Sequence, residues 1–172
     1  MRLGKRILGL FAGIMCFGAL ASCNKGNEPT NTEEKAPIET VYYCDSRKGN
    51  EASFSEVAYS ELSNKEFTDK YWYFTIAFKP NKEVVVKGIS ATISGGVEGY
   101  EGKPVSAYSN VLENRSGEAG KILAGERYES LGNSLSYTLN VTVSTDKYFE
   151  FVVLTGDKQS FSNVKITFEE VK

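Results

Sequence analysis

The chain has 172 residues, with 20 Lys and Arg against 22 Asp and Glu, three Cys and no His, a length that suits one domain around a single core. Without imidazole, Ser-His-Asp and Cys-His catalysis and His-ligated zinc are excluded, and only carboxylate, Lys or Tyr chemistry stays open. The acidic balance disfavours nucleic acid, whose binders present a basic patch.

Arg2, Lys5 and Arg6 precede an apolar run over residues 7–20 that is interrupted by Gly9, Gly13 and Gly18. This is the build of a signal peptide, since a membrane-crossing helix needs about 20 apolar residues. Leu20-Ala21-Ser22-Cys23 closes the run, and that order resembles the lipobox of bacterial lipoproteins. The resemblance implies cleavage after Ser22, a diacylglycerol on the Cys23 thiol and a further acyl chain on the new amine. More than one chain is what stable attachment to a bilayer requires. It also implies an outer-membrane location, with the face left open between periplasm and cell surface.

Residues 24–37 are polar, with Gly26, Pro29 and Pro37 and without hydrophobic periodicity. They read as a flexible tether with an end-to-end distance of roughly 20 Å. The organisation is thus a signal peptide over 1–22, a lipidated Cys and tether over 23–37, and a domain over 38–172.

From residue 38 the apolar period is two, not 3.6. Residues 38–44 read as a strand that contains Cys44. With Cys16 removed in the signal and Cys23 lipidated, Cys44 is the one thiol left, and it is expected to be buried and inert. Further strands are expected at 54–62, 71–79, 83–94, 104–112 and 122–128, with a helical turn or two only within 61–69. Over 71–79, alternation sends Trp72, Phe74, Ile76 and Phe78 toward a core and Tyr71, Tyr73, Thr75 and Ala77 to the other face.

Residues 134–143 alternate most cleanly, with Leu135, Tyr137, Leu139, Val141 and Val143 on one face. Residues 148–154 are apolar on both faces apart from Glu150, the pattern of a central strand covered on both sides. Near the C-terminus Val164, Ile166 and Phe168 alternate with polar neighbours. Many short strands between Gly, Asn, Asp and Ser clusters indicate an all-β antiparallel sandwich or barrel.

Taken together, the strand after Lys82, the glycine-rich segment 94–102, Ser106-Ala107-Tyr108-Ser109, the alternating strand 134–143, Tyr148-Phe149-Glu150-Phe151 and the final Phe161-Ser162-Asn163-Val164 run form one pattern. It resembles the galactose-binding-like jelly roll of carbohydrate-binding modules. An immunoglobulin-like sandwich is the alternative. In the jelly-roll family the last strand often follows an Asn and returns beside the first, and Asn163 fits that habit. The resemblance implies a glycan ligand, and near the paired termini a structural calcium ion with Asp45, Glu51, Glu169 and Glu170 as oxygen donors. The same carboxylates otherwise solvate the surface.

Tyr71 and Tyr73 are candidates for a sugar-stacking platform, with Tyr100 in the glycine-rich loop and Tyr108 beside it. The plainer role of these rings is to cover sheet surface. Gly102-Lys103 is followed by Pro104, and Gly120-Lys121 by Ile122, so neither is a phosphate cradle. A glycoside hydrolase needs two carboxylates about 5–10 Å apart, and no motif marks such a pair. The chain is therefore expected to be a membrane-anchored, non-enzymatic binding lipoprotein for a glycan. An accessory envelope lipoprotein that docks onto a protein comes second, and a carboxylate glycosidase third.

Overall fold

The computed structural model describes residues 35–48, 51–99, 104, 106–114, 122–129 and 135–171. The lipobox residues Leu20, Ala21, Ser22 and Cys23, and Tyr100, lie outside the described residues. In chain order the strands are β1 (Thr40–Lys48), β2 (Glu51–Ala58), β3 (Phe67–Thr68), β4 (Tyr73–Phe78) and β5 (Val84–Gly95). They continue as β6 (Ser106–Leu112), β7 (Ile122–Glu129), β8 (Leu135–Val143), β9 (Tyr148–Leu154) and β10 (Gln159–Glu170). A 3-10 helix, Tyr59–Asn64, sits between β2 and β3.

Two antiparallel sheets result, one in the order β2-β1-β4-β9-β6-β7 and the other β3-β10-β5-β8. The pairs β3·β10, β4·β9, β5·β8 and β6·β7 are nested, first strand with last and so inward. Such a nested ribbon, wrapped so that β10 meets β5 and β9 meets β6, is a jelly roll with two Greek keys. The immunoglobulin-like alternative is thereby replaced. The β1–β2 hairpin is an addition that widens one sheet beyond β4.

Alternation puts Phe74, Ile76 and Phe78 of β4 and Phe149, Phe151 and Val153 of β9 against Val84, Val86 and Ile89 of β5 and Leu135, Tyr137 and Leu139 of β8. Across the midplane Phe74 and Phe161 stack, with centroids 4.3 Å apart and planes 9° from parallel. Residues Glu34–Lys172 form one compact unit. Among the described residues every strand pair and the core cluster lie within it, so this fragment holds what it needs to fold alone.

Most strand bounds shift by a few residues from the sequence expectation, and three differences have a clear local reason. The strand expected over 54–62 ends at Ala58, because the chain turns into the 3-10 helix that buries Leu62 and sends the Tyr59 hydroxyl to the Ile166 carbonyl at 2.7 Å. The last strand begins at Gln159, and Asn163 lies inside it at φ 51°, where the register slips between Ser162 and Lys165. This bulge switches the buried parity from Gln159 and Phe161 to Val164 and Ile166, as an inserted residue must.

The third difference concerns Trp72. β4 begins at Tyr73, and Lys70 and Tyr73 exchange backbone hydrogen bonds of 2.8 and 3.2 Å around Tyr71 and Trp72. Both turn residues have positive φ, 54° and 67°, as in the two-residue hairpin loops that favour Asn-Gly. For residues with a Cβ this costs about 1–2 kcal/mol each. The turn breaks the alternation, so Trp72 points away from the core and is 59% exposed.

The two ends of the sandwich are distinct. Asn81 donates through its side chain to the Ala36 carbonyl (3.0 Å) and through its backbone to the Pro37 carbonyl (2.8 Å), while the Val171 N–H reaches the Glu83 carbonyl. The chain therefore enters and leaves at the end that carries the β4–β5 connection. The Tyr71–Trp72 turn lies at the opposite end, beside the β9–β10 turn.

Candidate functional site

Because β4, β9 and β6 send Phe74, Phe151 and Ala107 inward, their register fixes what faces away from the second sheet. That outer face carries Tyr73, Thr75 and Ala77 from β4, Tyr148, Glu150 and Val152 from β9, and Tyr108 and Asn110 from β6. One register row runs Glu56, Tyr42, Ala77, Glu150, Asn110 and Gly125 across all six strands. Along it the small Ala77 leaves room between the long side chains of Tyr42 and Glu150.

Glu150 is the centre of this face. It is only 9% exposed, which is unusual for a carboxylate without a reason. The Asn110 side-chain amide donates to its Oε1 at 3.0 Å. Burial pushes the carboxyl above its ordinary value of 4.5, and the Asn110 bond and the nearby Arg47 charge pull the other way. A buried acid with a raised pKa, on a face that also carries Tyr73, Tyr108 and Tyr148, is a candidate functional group.

Arg47 owes its place to a bulge. The register of β1 slips between Cys44 and Ser46, and the extra residue puts Arg47, not Ser46, on the outer face. Its guanidinium lies 4.3 Å from the centroid of the Tyr73 ring. The Lys79 ammonium is 5.7 Å from the Tyr148 centroid, the Arg127 guanidinium 5.9 Å from that of Tyr108, and Tyr42 and Tyr148 meet at 6.3 Å. Beyond Tyr42 the face opens into a depression of about 330 Å³ lined by Glu39, Lys79, Asn81 and Thr145.

The sequence-derived candidates divide. Tyr73 and Tyr108 share the outer face, two strands and two residues apart, so about 12 Å by strand spacing and rise. Tyr71 is 61% exposed but sits at the turn, not on the face. The four carboxylates expected to hold calcium do not converge. Asp45 and Glu51 are exposed on the β1–β2 hairpin, whereas Glu169 pairs with Lys87 at 3.2 Å and Glu170 with Lys82 at 3.3 Å on the other sheet. Among the described residues no three acidic or Cys side chains form a group able to hold a metal ion, and these four do not fit a cation site. Cys44 is buried, as expected, and burial pushes its thiol pKa up.

The sequence did not single out Glu150, Asn110, Tyr42, Tyr148 or Arg47 as site residues. One signal was present: Glu150 is the lone charge in an otherwise apolar strand, and a charge in such a place needs a partner. Its partner lies 40 positions away, which only the register reveals.

No family model and no curated protein matches the chain. Among solved structures it is similar to the C-terminal domain of a chitobiase from Bacteroides fragilis, at 12% identity and a TM-score of 0.38, over 78% of this chain and 94% of that one.

Proposed function

We propose that the chain is a lipid-anchored, non-enzymatic binding protein of a bacterial outer membrane that takes a glycan on the outer face of its six-stranded sheet. The observation that carries this reading is Glu150, buried and bonded to Asn110 in the middle of a face walled by tyrosines. A pyranose offers apolar C–H faces and a rim of hydroxyls. Tyr rings suit the first, and a desolvated carboxylate with amide and guanidinium donors beside it suits the second.

Catalysis is less well supported. The other carboxylate on the Glu150 row is Glu56, three strands away, or about 14 Å by strand spacing. Glycosidase pairs lie within roughly 5–10 Å. Protein docking is also less well supported, because among the described residues Val97, Leu123 and Val171, the exposed large apolar residues besides the turn, lie on separate elements and make no continuous patch.

A glycan-array screen of the Glu34–Lys172 fragment tests the reading. Tyr148→Ala is expected to weaken binding about tenfold, near 1.4 kcal/mol for one lost stacking ring. No binding at high protein concentration would sink the glycan assignment. The anchor has a separate test in cell fractionation. Cys23→Ala is expected to leave the precursor uncut or to release the protein from membranes, and unchanged membrane association would rule the lipobox out.

A further inference from the structure

We propose that the Tyr71–Trp72 turn is the far end of the same site, so that the ligand is a run of several sugar units laid along the strands and not a single terminal sugar. This rests on the glycan reading above. Tyr71 and Trp72 are 61% and 59% exposed, and their side chains make no hydrogen bond or ring contact among the described residues. Both hold positive φ, where Asn and Gly would sit without strain.

The surrounding backbone imposes that conformation. The Thr155 N–H donates to the Trp72 carbonyl (2.8 Å) and the Asp69 N–H to that of Gln159 (3.0 Å). The Thr155 hydroxyl donates to the Asp69 carboxylate at 2.6 Å. Two large rings are thus displayed at a turn that the fold holds from both sides, the circumstance in which strain serves function.

Continuity supplies the occupant. Tyr73, the next residue, stands on the outer face under Arg47, and β4 runs from it to Phe78, just before Lys79 beside Tyr148. Six residues of strand cover about 20 Å, longer than one sugar ring. A lipid occupant is disfavoured, because the preceding chain joins at Ala36 and Pro37, at the opposite end of the sandwich. A protein partner is disfavoured too, since two residues fall well short of the roughly 800 Å² per side of a stable interface.

The test uses Glu34–Lys172 and oligosaccharide series of glucose, mannose, galactose and xylose, from mono- to octasaccharide, in calorimetry. Affinity is expected to rise with chain length, and Trp72→Ala to lower it about tenfold for the long members only. The double variant Tyr71→Asn, Trp72→Gly should show the same loss with a higher thermal midpoint, which separates contact from misfolding. Long-chain affinity that survives Trp72→Ala while Tyr148→Ala destroys it overturns this inference and leaves the glycan reading intact. No binding by the parent fragment, in the series and on the array, overturns both. Trp72-dependent sedimentation with phosphatidylethanolamine–phosphatidylglycerol vesicles overturns it in favour of lipid.

Discussion

Phe161→Ala is expected to destabilise the Glu34–Lys172 unit by about 3–5 kcal/mol, the usual cost of removing a fully buried Phe. Phe161 has no solvent exposure and stacks on Phe74 of the opposite sheet. Phe67, its register partner in the two-residue strand β3, leans on the same Phe74 ring at 5.7 Å. The cavity would therefore open between the sheets at the end that carries the Tyr71–Trp72 turn. Against a total stability of about 5–15 kcal/mol this is a large fraction. In urea the midpoint should fall by about 2 M, taking a slope near 2 kcal/mol per molar. Phe161→Leu should cost clearly less, because it keeps most of the volume. A loss below about 1 kcal/mol for the Ala variant would mean that the two sheets are not held together through this stack.

The second half of the fold is legible in the sequence because period-two patterning survives in it. Leu135, Tyr137 and Leu139 are buried while Ser136, Thr138 and Asn140 are exposed, as alternation alone requires. Legibility fails where the backbone changes hand. Trp72 reads as core because nothing in Tyr-Trp announces a hairpin turn of positive φ, whereas Asn-Gly would have done so. Arg47 is hidden for a related reason, since the bulge at Asp45 reverses the parity of the residues after it. Asn163 is the converse case, a residue type that tolerates positive φ and so leaves a readable mark.

The outer face illustrates the same division between composition and register. Tyr42, Tyr73, Tyr108 and Tyr148 come from four strands that are scattered along the chain. They share a face only because a jelly roll returns β9 between β4 and β6. Strand patterning could place each ring on a face, but which faces coincide depends on pairing, and the sequence does not encode pairing locally.

Glu150 should show opposite effects on stability and on binding. Glu150→Ala removes the carboxylate and leaves the half-buried Asn110 amide without its acceptor. Glycan affinity is expected to fall about 100-fold, the loss of two charge-assisted hydrogen bonds at about 1.5 kcal/mol each. Glu150→Gln keeps an oxygen for Asn110 but no longer offers a charged acceptor, so binding should fall nearly as far. Its fold, however, should become more stable at neutral pH by on the order of 1 kcal/mol, since a desolvated charge is relieved.

The sign follows from the raised pKa. A carboxyl with a folded-state pKa above its unfolded value contributes stability below the unfolded value, here 4.5, and loses it as pH rises through the folded one. Arg47 from β1 and the Asn110 amide from β6 oppose the shift, and burial outweighs them. The midpoint of Glu150→Gln should therefore match the parent near about pH 4 and exceed it by a few degrees near about pH 8. Parent binding should run the other way, weakening as pH falls through the raised pKa and the carboxylate takes up a proton. Thermal melts and calorimetry across that window check both arms. A Gln variant that binds as tightly as the parent would remove Glu150 from the site, and a parent more stable than Glu150→Gln at high pH would show that the charge is compensated in place.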